Sequence, residues 1–302
     1  MSFYFTIQSE KEITYRQLIN ELPLENIEFG HLEDIDDYIG ENNYKAFIKN
    51  KSTRGVNLSH REQNYSVSLN VIASETDFEI ALLIVEALSK LTEAEILPED
   101  RETPIDIVTF RNHYDKNWIE EEKYLGVSIF LDKIGNDGDT LEIACCYMSY
   151  LVGPDIHKKL DAGSEKSYYE GLVSYISSTQ FWDREKYHIP SIIRFTDKDT
   201  GEDKELVLLY QNGNQFLSKA DEVVLSDGES RIKIPYDKIK LLATEKFHLV
   251  DEKQYVVDEL TDEEYKSIYL KAVEISSVNK AENTTKPESE IRTPKKWWEF
   301  WK

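Results

Sequence analysis

Short runs of β-favourable residues, separated by turn-forming residues, are the feature that most constrains the fold of this chain. Three such runs follow one another at residues 46–50, 55–59 and 65–72. The segments that interrupt them, residues 52–55 and 61–64, contain the polar and glycine residues that turns use. This order predicts an antiparallel meander, because strands joined by short turns pair with their neighbours in sequence.

Three more hairpins are predicted further along the chain. Their strands and turns are residues 127–131 and 141–147 around 135–138, residues 191–196 and 205–210, and residues 223–225 and 231–234 around 227–228. These hairpins outnumber alternations of strand and helix. The sequence therefore predicts an α+β class, with largely antiparallel sheets built from hairpins, packed amphipathic helices and a disordered C-terminal tail.

Capping boxes, in which an N-cap hydroxyl and a side chain three residues later satisfy each other's backbone N–H groups, predict three helix starts. The pairs are Thr14 with Gln17, Thr76 with Glu79, and Thr261 with Glu264. After the second pair, apolar residues recur at a spacing of three and four, which predicts an amphipathic helix. These apolar residues are Phe78, Ala81, Leu82, Val85, Leu88 and Leu91.

Composition divides the chain of 302 residues into a globular region at 1–275, a disordered linker at 276–294 and a short tail at 295–302. The linker has too few apolar residues to bury the surface that would offset its ordering entropy. The globular length suits one large domain or two modest ones. Prolines near residues 97–104 leave open a seam between two lobes.

The charge balance constrains the partners of this chain. Lys and Arg total 36 against 58 Asp and Glu, a formal charge of −22. Such a potential repels phosphate backbones, and no basic patch precedes residue 280, so no nucleic-acid partner is expected. An acidic surface suits a partner with a basic surface instead.

Several features predict a cytoplasmic protein. The first ten residues lack the basic region and apolar stretch of a signal peptide. No window approaches 18 consecutive apolar residues. The only cysteines are the adjacent Cys145 and Cys146, and their context predicts a strand. Because neighbours on a strand point to opposite faces, a disulfide between them would need a strained turn. We therefore expect two buried, reduced thiols.

Catalytic and metal motifs are sparse. No nucleophile elbow or phosphate-binding glycine loop occurs, and the histidines lack metal-ligand spacing. His113, with Asp115 and Arg111 beside it, is the candidate general base, although these three residues also suit a polar helix face. Carboxylates at residues 197–203 partly match a calcium loop, but a solvated hairpin turn is favoured. No metal and no cofactor is therefore predicted.

The C-terminal tail is predicted to lie outside the folded core, beyond the disordered linker. Residues 295–302 contain a cluster of aromatic side chains flanked by lysines, and exposed aromatic clusters generally mark binding sites. The predicted partner-binding residues are Trp297, Trp298, Phe300, Trp301, Lys295 and Lys296. Three destinations stay open: a groove of the same protein, a groove of another protein, or the membrane interface, where Trp and Lys suit anionic lipid.

Two segments carry a resemblance. Residues 51–55 leading into a strand, then residues 71–74 and the capped helix from Asp77, resemble a bacterial family of similarly sized cytosolic proteins with no assigned function. The tail is similar to short Trp-rich endings of bacterial cytosolic proteins, including some immunity proteins of toxin systems. Neither resemblance implies a functional residue.

These observations favour an acidic cytosolic interaction protein with a tethered aromatic docking motif and a protein partner. A toxin-neutralising or a scaffold role is its most concrete form. One alternative is an enzyme whose site is assembled from scattered residues. The other is peripheral membrane association, with contact through the tail only. The oligomeric state and the occurrence of catalysis stay open at this point.

Overall fold

The computed structural model describes residues 2–30, 32–42, 44–136, 138–160, 163–183, 185–196 and 201–284. These residues form two compact units. The first unit comprises the described residues within 1–183 together with Val250–Glu252, and the second comprises those within 184–249 and 253–284. The alternative seam near residues 97–104 lies inside the first unit.

A six-stranded sheet of order β2-β3-β4-β5-β1-β6 organises the first unit, and every adjacent pair in it is antiparallel. Its strands are β1 Ser2–Gln8, β2 Ile27–Phe29, β3 Tyr44–Ile48, β4 Val56–Arg61, β5 Asn64–Asn70 and β6 Ile96–Pro98. The predicted meander is confirmed as β3, β4 and β5. In β1, Phe5 and Ile7 are buried while Thr6 between them is only half-buried, since successive side chains of a strand point to opposite faces. In β4 and β5 the small polar residues Ser59 and Ser68 of the opposite face are buried as well.

The first unit also contains helices. They are α1 Tyr15–Glu21, α2 Glu75–Thr92, α3 Ile107–His113, α4 Lys116–Glu122, α5 Val127–Phe130, α6 Pro154–Leu160 and α7 Glu165–Thr179. Helix α2 packs against β1, β3, β4 and β5 of this sheet. The amphipathic helix predicted after Thr76 is confirmed as α2, whose apolar residues join one core cluster with β1, β4 and β5. The capping box at Thr14 is also confirmed.

The start of α2 differs from the prediction. Ser74 is the N-cap and forms the capping box with Asp77, so the box at Thr76 and Glu79 was wrong. Ser74 and Asp77 satisfy the same pattern two residues earlier, and this register buries Asp77 completely. The Asp77 carboxylate therefore lies in the core.

The predicted hairpin around residues 135–138 was also wrong. Residues of the first predicted strand form α5 and a following π-helix, Leu131–Asn136. The hairpin consists instead of β7 Leu141–Ala144 and β8 Ser149–Val152. Cys145 and Cys146 consequently lie in the connection between two strands and not on a strand.

The second unit contains two further sheets. Its strands are β9 Ile193–Thr196, β10 Asp203–Leu208, β11 Gln215–Leu217, β12 Glu222–Ser226, β13 Arg231–Pro235, β14 Phe247–Leu249 and β15 Tyr255–Val257. The predicted hairpins β9–β10 and β12–β13 are confirmed, and the pair β10–β12 is the parallel exception. A 3-10 turn, Tyr236–Lys238, leads into α8, Ile239–Leu242.

Helix α9, Asp262–Thr284, packs against β12 and β13. Its capping box is confirmed, since Thr261 Oγ1 accepts from the Glu264 N–H while the Glu264 side chain accepts from the Thr261 N–H. The helix continues past residue 276, where a disordered linker was predicted to begin. The Ala, Glu and Lys residues of this stretch favour helix, and α9 is already nucleated by packing.

The predicted class is confirmed: the protein is α+β, with mostly antiparallel sheets and helices. Residues 285–302, which include the predicted docking tail, lie outside the described residues. Within the described ranges, no helix combines the length and apolarity needed to cross a lipid bilayer.

Candidate functional site

The candidate residues for catalysis, Arg111, His113 and Asp115, are close in sequence, but each forms a separate contact in the structure. Arg111 forms an ion pair with Glu86 of α2, and the His113 Nδ1 lies 2.9 Å from the Thr109 carbonyl within α3. Asp115 caps α4 by accepting from the N–H groups of residues 117 and 118. All three side chains are exposed.

The segment that partly matches a calcium loop, and for which a solvated hairpin turn was predicted, is only partly described. Residues 197–200 of the carboxylate-rich stretch lie outside the described residues. Among the residues that are described, no group of three or more His, Cys, Asp or Glu side chains is placed to hold a metal ion.

A buried polar loop, residues 52–55 between β3 and β4, is the most unusual feature of the first unit. Ser52 and Thr53 are fully buried and Arg54 is 8% exposed, although polar loops normally run over the surface. The loop is fixed at its end by Gly55, whose φ of +66° suits glycine. A Cβ at Gly55 would lie 3.1 Å from the Ala46 carbonyl oxygen and 3.3 Å from the Cys146 Sγ.

Asp77 supplies the first set of contacts that satisfy this loop. Its Oδ2 accepts from the backbone N–H groups of Thr53 at 3.0 Å, Arg54 at 3.1 Å and Ser74 at 2.9 Å. The Thr53 hydroxyl lies 2.7 Å from the Ile72 carbonyl and 3.1 Å from Asp77 Oδ2, so it donates to one of them. One carboxylate therefore joins the start of α2 to the loop.

Gln180, the C-cap residue of α7, supplies the second set. Its Nε2 donates to the carbonyls of Ser52 at 2.9 Å and Thr53 at 3.1 Å, while its Oε1 accepts from the Cys146 N–H at 3.1 Å. The Gln180 side chain is fully buried. Because an amide both donates and accepts, this single side chain connects the loop to the β7–β8 connection.

Two cationic side chains complete the network. The Arg54 Nε donates to the Ala144 carbonyl at 2.7 Å and its Nη1 to the Val71 carbonyl at 2.9 Å. The Lys45 Nζ donates to the Cys145 carbonyl at 2.8 Å and to the same Ala144 oxygen at 3.2 Å. Burial lowers the pKa of both groups.

Asp77 balances these cations through space. Its Oδ1 is buried and has no hydrogen-bond partner among the described residues, and its charge raises the pKa of both Lys45 and Arg54 against the effect of burial. Neither cation contacts the carboxylate directly in the described structure. The network thus contains two cations and one carboxylate at its centre.

The two cysteines are free and buried, as the sequence predicted. The Cys146 Sγ lies 3.3 Å from the Thr53 carbonyl. Burial raises the pKa of Cys145 to about 12 and that of Cys146 further still. Because the thiolate is the reactive form, both side chains are held in an unreactive state at neutral pH.

A cleft of about 320 Å³ opens beside this network, and we call it the Lys45 cleft. Its lining residues come from the end of β2, the start of β3 and the β7–β8 connection. They are Gly30, Tyr44, Lys45, Ala144, Cys145, Cys146, Tyr147, Met148 and Ser149. The ammonium of Lys45 is the cationic group of this lining, and the lining contains no carboxylate.

Sequence reasoning did not select Lys45, Arg54, Asp77 or Gln180 as site residues. One signal was present, since Asp77 lies four residues before Ala81 and so shares the apolar face of the helix. A carboxylate in that register is buried and needs partners. The partners of Asp77 come from other parts of the chain, which no local pattern identifies.

The comparison with protein families matches the main segment of the first unit. The chain belongs to the family described as a domain of unknown function, DUF4299, whose model matches residues 2–183. The resemblance to a family without assigned function is thereby confirmed. The match ends where the main segment of the first unit ends, so it covers the six-stranded sheet and the whole network around Asp77. No curated protein and no solved structure matches this chain.

Proposed function

We propose that this protein is a non-catalytic interaction protein of the cytoplasm, which binds a protein partner through its acidic body and its aromatic tail. The observation that carries this proposal is that the three candidate residues for catalysis each form a separate contact. Arg111, His113 and Asp115 are exposed, and each is engaged in a contact that stabilises a helix. Geometry for proton transfer requires convergent groups around a reacting atom, which these three do not provide.

The charge of the chain supports the same proposal. A formal charge of −22 favours association with a basic surface, since complementary potentials accelerate encounter and exclude acidic partners. A toxin-neutralising protein that covers a basic toxin surface is one form of this activity. A scaffold that holds a basic partner is the other.

The tail provides the second contact. Trp297, Trp298 and Trp301 are the residue type most enriched at energetic hot spots of interfaces. Linking this short motif to a folded body raises its effective concentration near a partner that the body already holds. A tail of eight residues can therefore contribute although its own affinity is small.

A capture experiment tests the tail. Full-length protein and a variant with Trp297, Trp298 and Trp301 changed to Ala are used as baits, and captured proteins are identified and quantified. We expect at least one partner to be depleted about tenfold or more in the variant, because hot-spot residues contribute 2 kcal/mol or more each. A matched control changes Ser289, Thr293 and Thr285 to Ala and should capture the same partners as the original chain.

The composition of the tail also favours a second destination, an anionic membrane surface, since it combines Trp with Lys295 and Lys296. Co-sedimentation with vesicles containing anionic lipid at low salt separates the two destinations. Sedimentation of the full-length protein but not of the Trp variant would assign the tail to lipid. Identical capture by the full-length and Trp-variant baits, with no sedimentation, would contradict any role of the tail in binding.

A further inference from the structure

The charge pattern beside the Lys45 cleft is unusual for a chain this acidic. Lys45 Nζ and Arg54 Nε both donate to the Ala144 carbonyl oxygen, so the two cationic groups lie within two hydrogen-bond lengths of each other. No described carboxylate forms an ion pair with either group. Buried or half-buried cations are normally paired because their desolvation is costly.

The nearest carboxylate does not remove this excess of positive charge. Asp77 already accepts three backbone N–H groups through Oδ2, and it is one negative charge against two positive ones. The carbonyl oxygens of residues 71, 144 and 145 receive the cationic donors but carry no formal charge. Two cationic groups therefore lie beside the cleft, and Asp77 is the carboxylate whose charge acts on both of them.

Lys45 also has donor capacity left for a ligand. An ammonium group carries three N–H donors, and the described contacts of Lys45 Nζ use two of them. Lys45 is half-buried and lines the cleft. Arg54 is more deeply buried and contributes its charge from behind the Ala144 carbonyl, without lining the cleft.

The other residues that line the cleft suit the organic part of a small ligand. Tyr44, Tyr147 and Met148 bring aromatic and thioether groups to the lining, and Ser149 adds a hydroxyl. A volume of about 320 Å³ lies at the lower end of the range for small-molecule sites. The protonated thiols of Cys145 and Cys146 do not compete with an anion for the ammonium.

We propose that the Lys45 cleft binds a small organic molecule through an oxyanion, a carboxylate or a phosphate, that accepts the free N–H of the Lys45 ammonium. Arg54 acts as a positioning residue, which fixes the Ala144 carbonyl and adds positive charge to the site. The aromatic and thioether groups of the lining contact the body of the ligand. This site is separate from the proposed tail contact, and its test does not depend on a protein partner.

Titration of the full-length protein with benzoate, benzamide and inorganic phosphate tests this proposal by calorimetry and by the ¹³Cε signal of Lys45. Benzoate and benzamide have nearly the same shape, so their difference isolates the charge. We expect saturable binding of benzoate, or of phosphate, at one site, and about tenfold or weaker binding of benzamide, as a charge-assisted hydrogen bond implies. The net charge of −22 disfavours non-specific uptake of anions, so saturation reports a specific site.

Variants locate the bound anion. Lys45→Met keeps the length of the side chain and removes its charge, and it should weaken binding at least about tenfold, whereas Lys45→Arg should retain most of it. Lys49→Met, at an exposed position just beyond β3, is the matched control and should bind as the original chain does.

Each result of these titrations either supports or overturns the proposal. Binding of benzoate alone assigns a carboxylate, and binding of phosphate alone assigns a phosphate; a loss in Lys45→Met supports the site in either case. The proposal is overturned if neither anion binds, if benzamide binds as tightly as benzoate, or if Lys45→Met binds unchanged. Should Lys45→Met fail to fold, the benzoate and benzamide comparison in the original chain and the Lys45→Arg variant still decide the question.

Discussion

Asp77 and Asp115 perform the same local task in two different surroundings. Each carboxylate accepts backbone N–H groups at the start of a helix, α2 for Asp77 and α4 for Asp115. Asp115 is exposed and bonds only residues two and three positions away. Asp77 is fully buried and also bonds a loop 24 residues away. Both carboxylates cap a helix, but only Asp77 also joins its helix to a distant loop. We therefore call the Asp77 network a structural centre, meaning a set of buried contacts that connects distant parts of the chain.

Removing the Asp77 carboxylate should have the largest effect. In Asp77→Ala, three buried N–H groups lose their acceptor and Arg54 and Lys45 lose their compensating charge. We expect the free energy of unfolding to fall by about 3–5 kcal/mol, because each buried N–H group left without an acceptor costs about 1–3 kcal/mol. Urea denaturation measures the change, and Asp77→Asn, which keeps one oxygen, should lose less. A loss below about 1 kcal/mol in Asp77→Ala would contradict the account.

Gln180→Ala should have the next largest effect. The substitution removes the Nε2 donor from the Ser52 carbonyl and leaves a space at the loop, whereas the Thr53 carbonyl keeps the Cys146 N–H as a donor. We expect a loss of about 2 kcal/mol, because each unsatisfied buried polar group costs about 1–3 kcal/mol. The same denaturation experiment applies, with Gln8→Ala at the exposed end of β1 as a control for the loss of an exposed Gln side chain.

Asp115→Ala should cost less, because the cap it removes is open to water. The N–H groups of residues 117 and 118 can bond solvent once the carboxylate is absent. We expect a loss of about 1 kcal/mol, the usual value for an N-cap. Thermal unfolding followed by circular dichroism checks this, and a loss equal to that of Asp77→Ala would remove the distinction between the two carboxylates.

Arg111→Ala should have the smallest effect. The Arg111–Glu86 ion pair lies at the surface, where such pairs contribute about 0–1 kcal/mol. We expect the stability to change by about 0.5 kcal/mol or less, and the change to shrink further at high salt. The pair would be more important than its exposure indicates if the loss exceeded that of Asp115→Ala.

Much of the fold could be predicted from local patterns. The meander of β3 to β5, the hairpins β9–β10 and β12–β13, and helix α2 follow from turn residues and apolar spacing, which act over a few positions. The capping boxes at Thr14 and Thr261 were equally local. Prediction failed around residues 127–138, where the chain forms helical turns in place of a strand.

The site could not be predicted in the same way. Lys45, Arg54 and Gln180 meet around Ala144 and the 52–55 loop, although up to 128 positions separate the bonded residues. No spacing rule joins such distant residues. The trio of Arg111, His113 and Asp115 attracted attention because it is compact in sequence, but helical geometry assigns each of them a separate contact.

Hydrogen exchange of two pairs of amides tests the central claim most directly. The N–H groups of Thr53 and Arg54 bond Asp77, and those of Asn117 and Trp118 bond Asp115. If the Asp77 network is a structural centre, the first pair should exchange only through global unfolding, at least about a hundredfold more slowly than the second pair. Similar exchange rates for the two pairs would contradict the account.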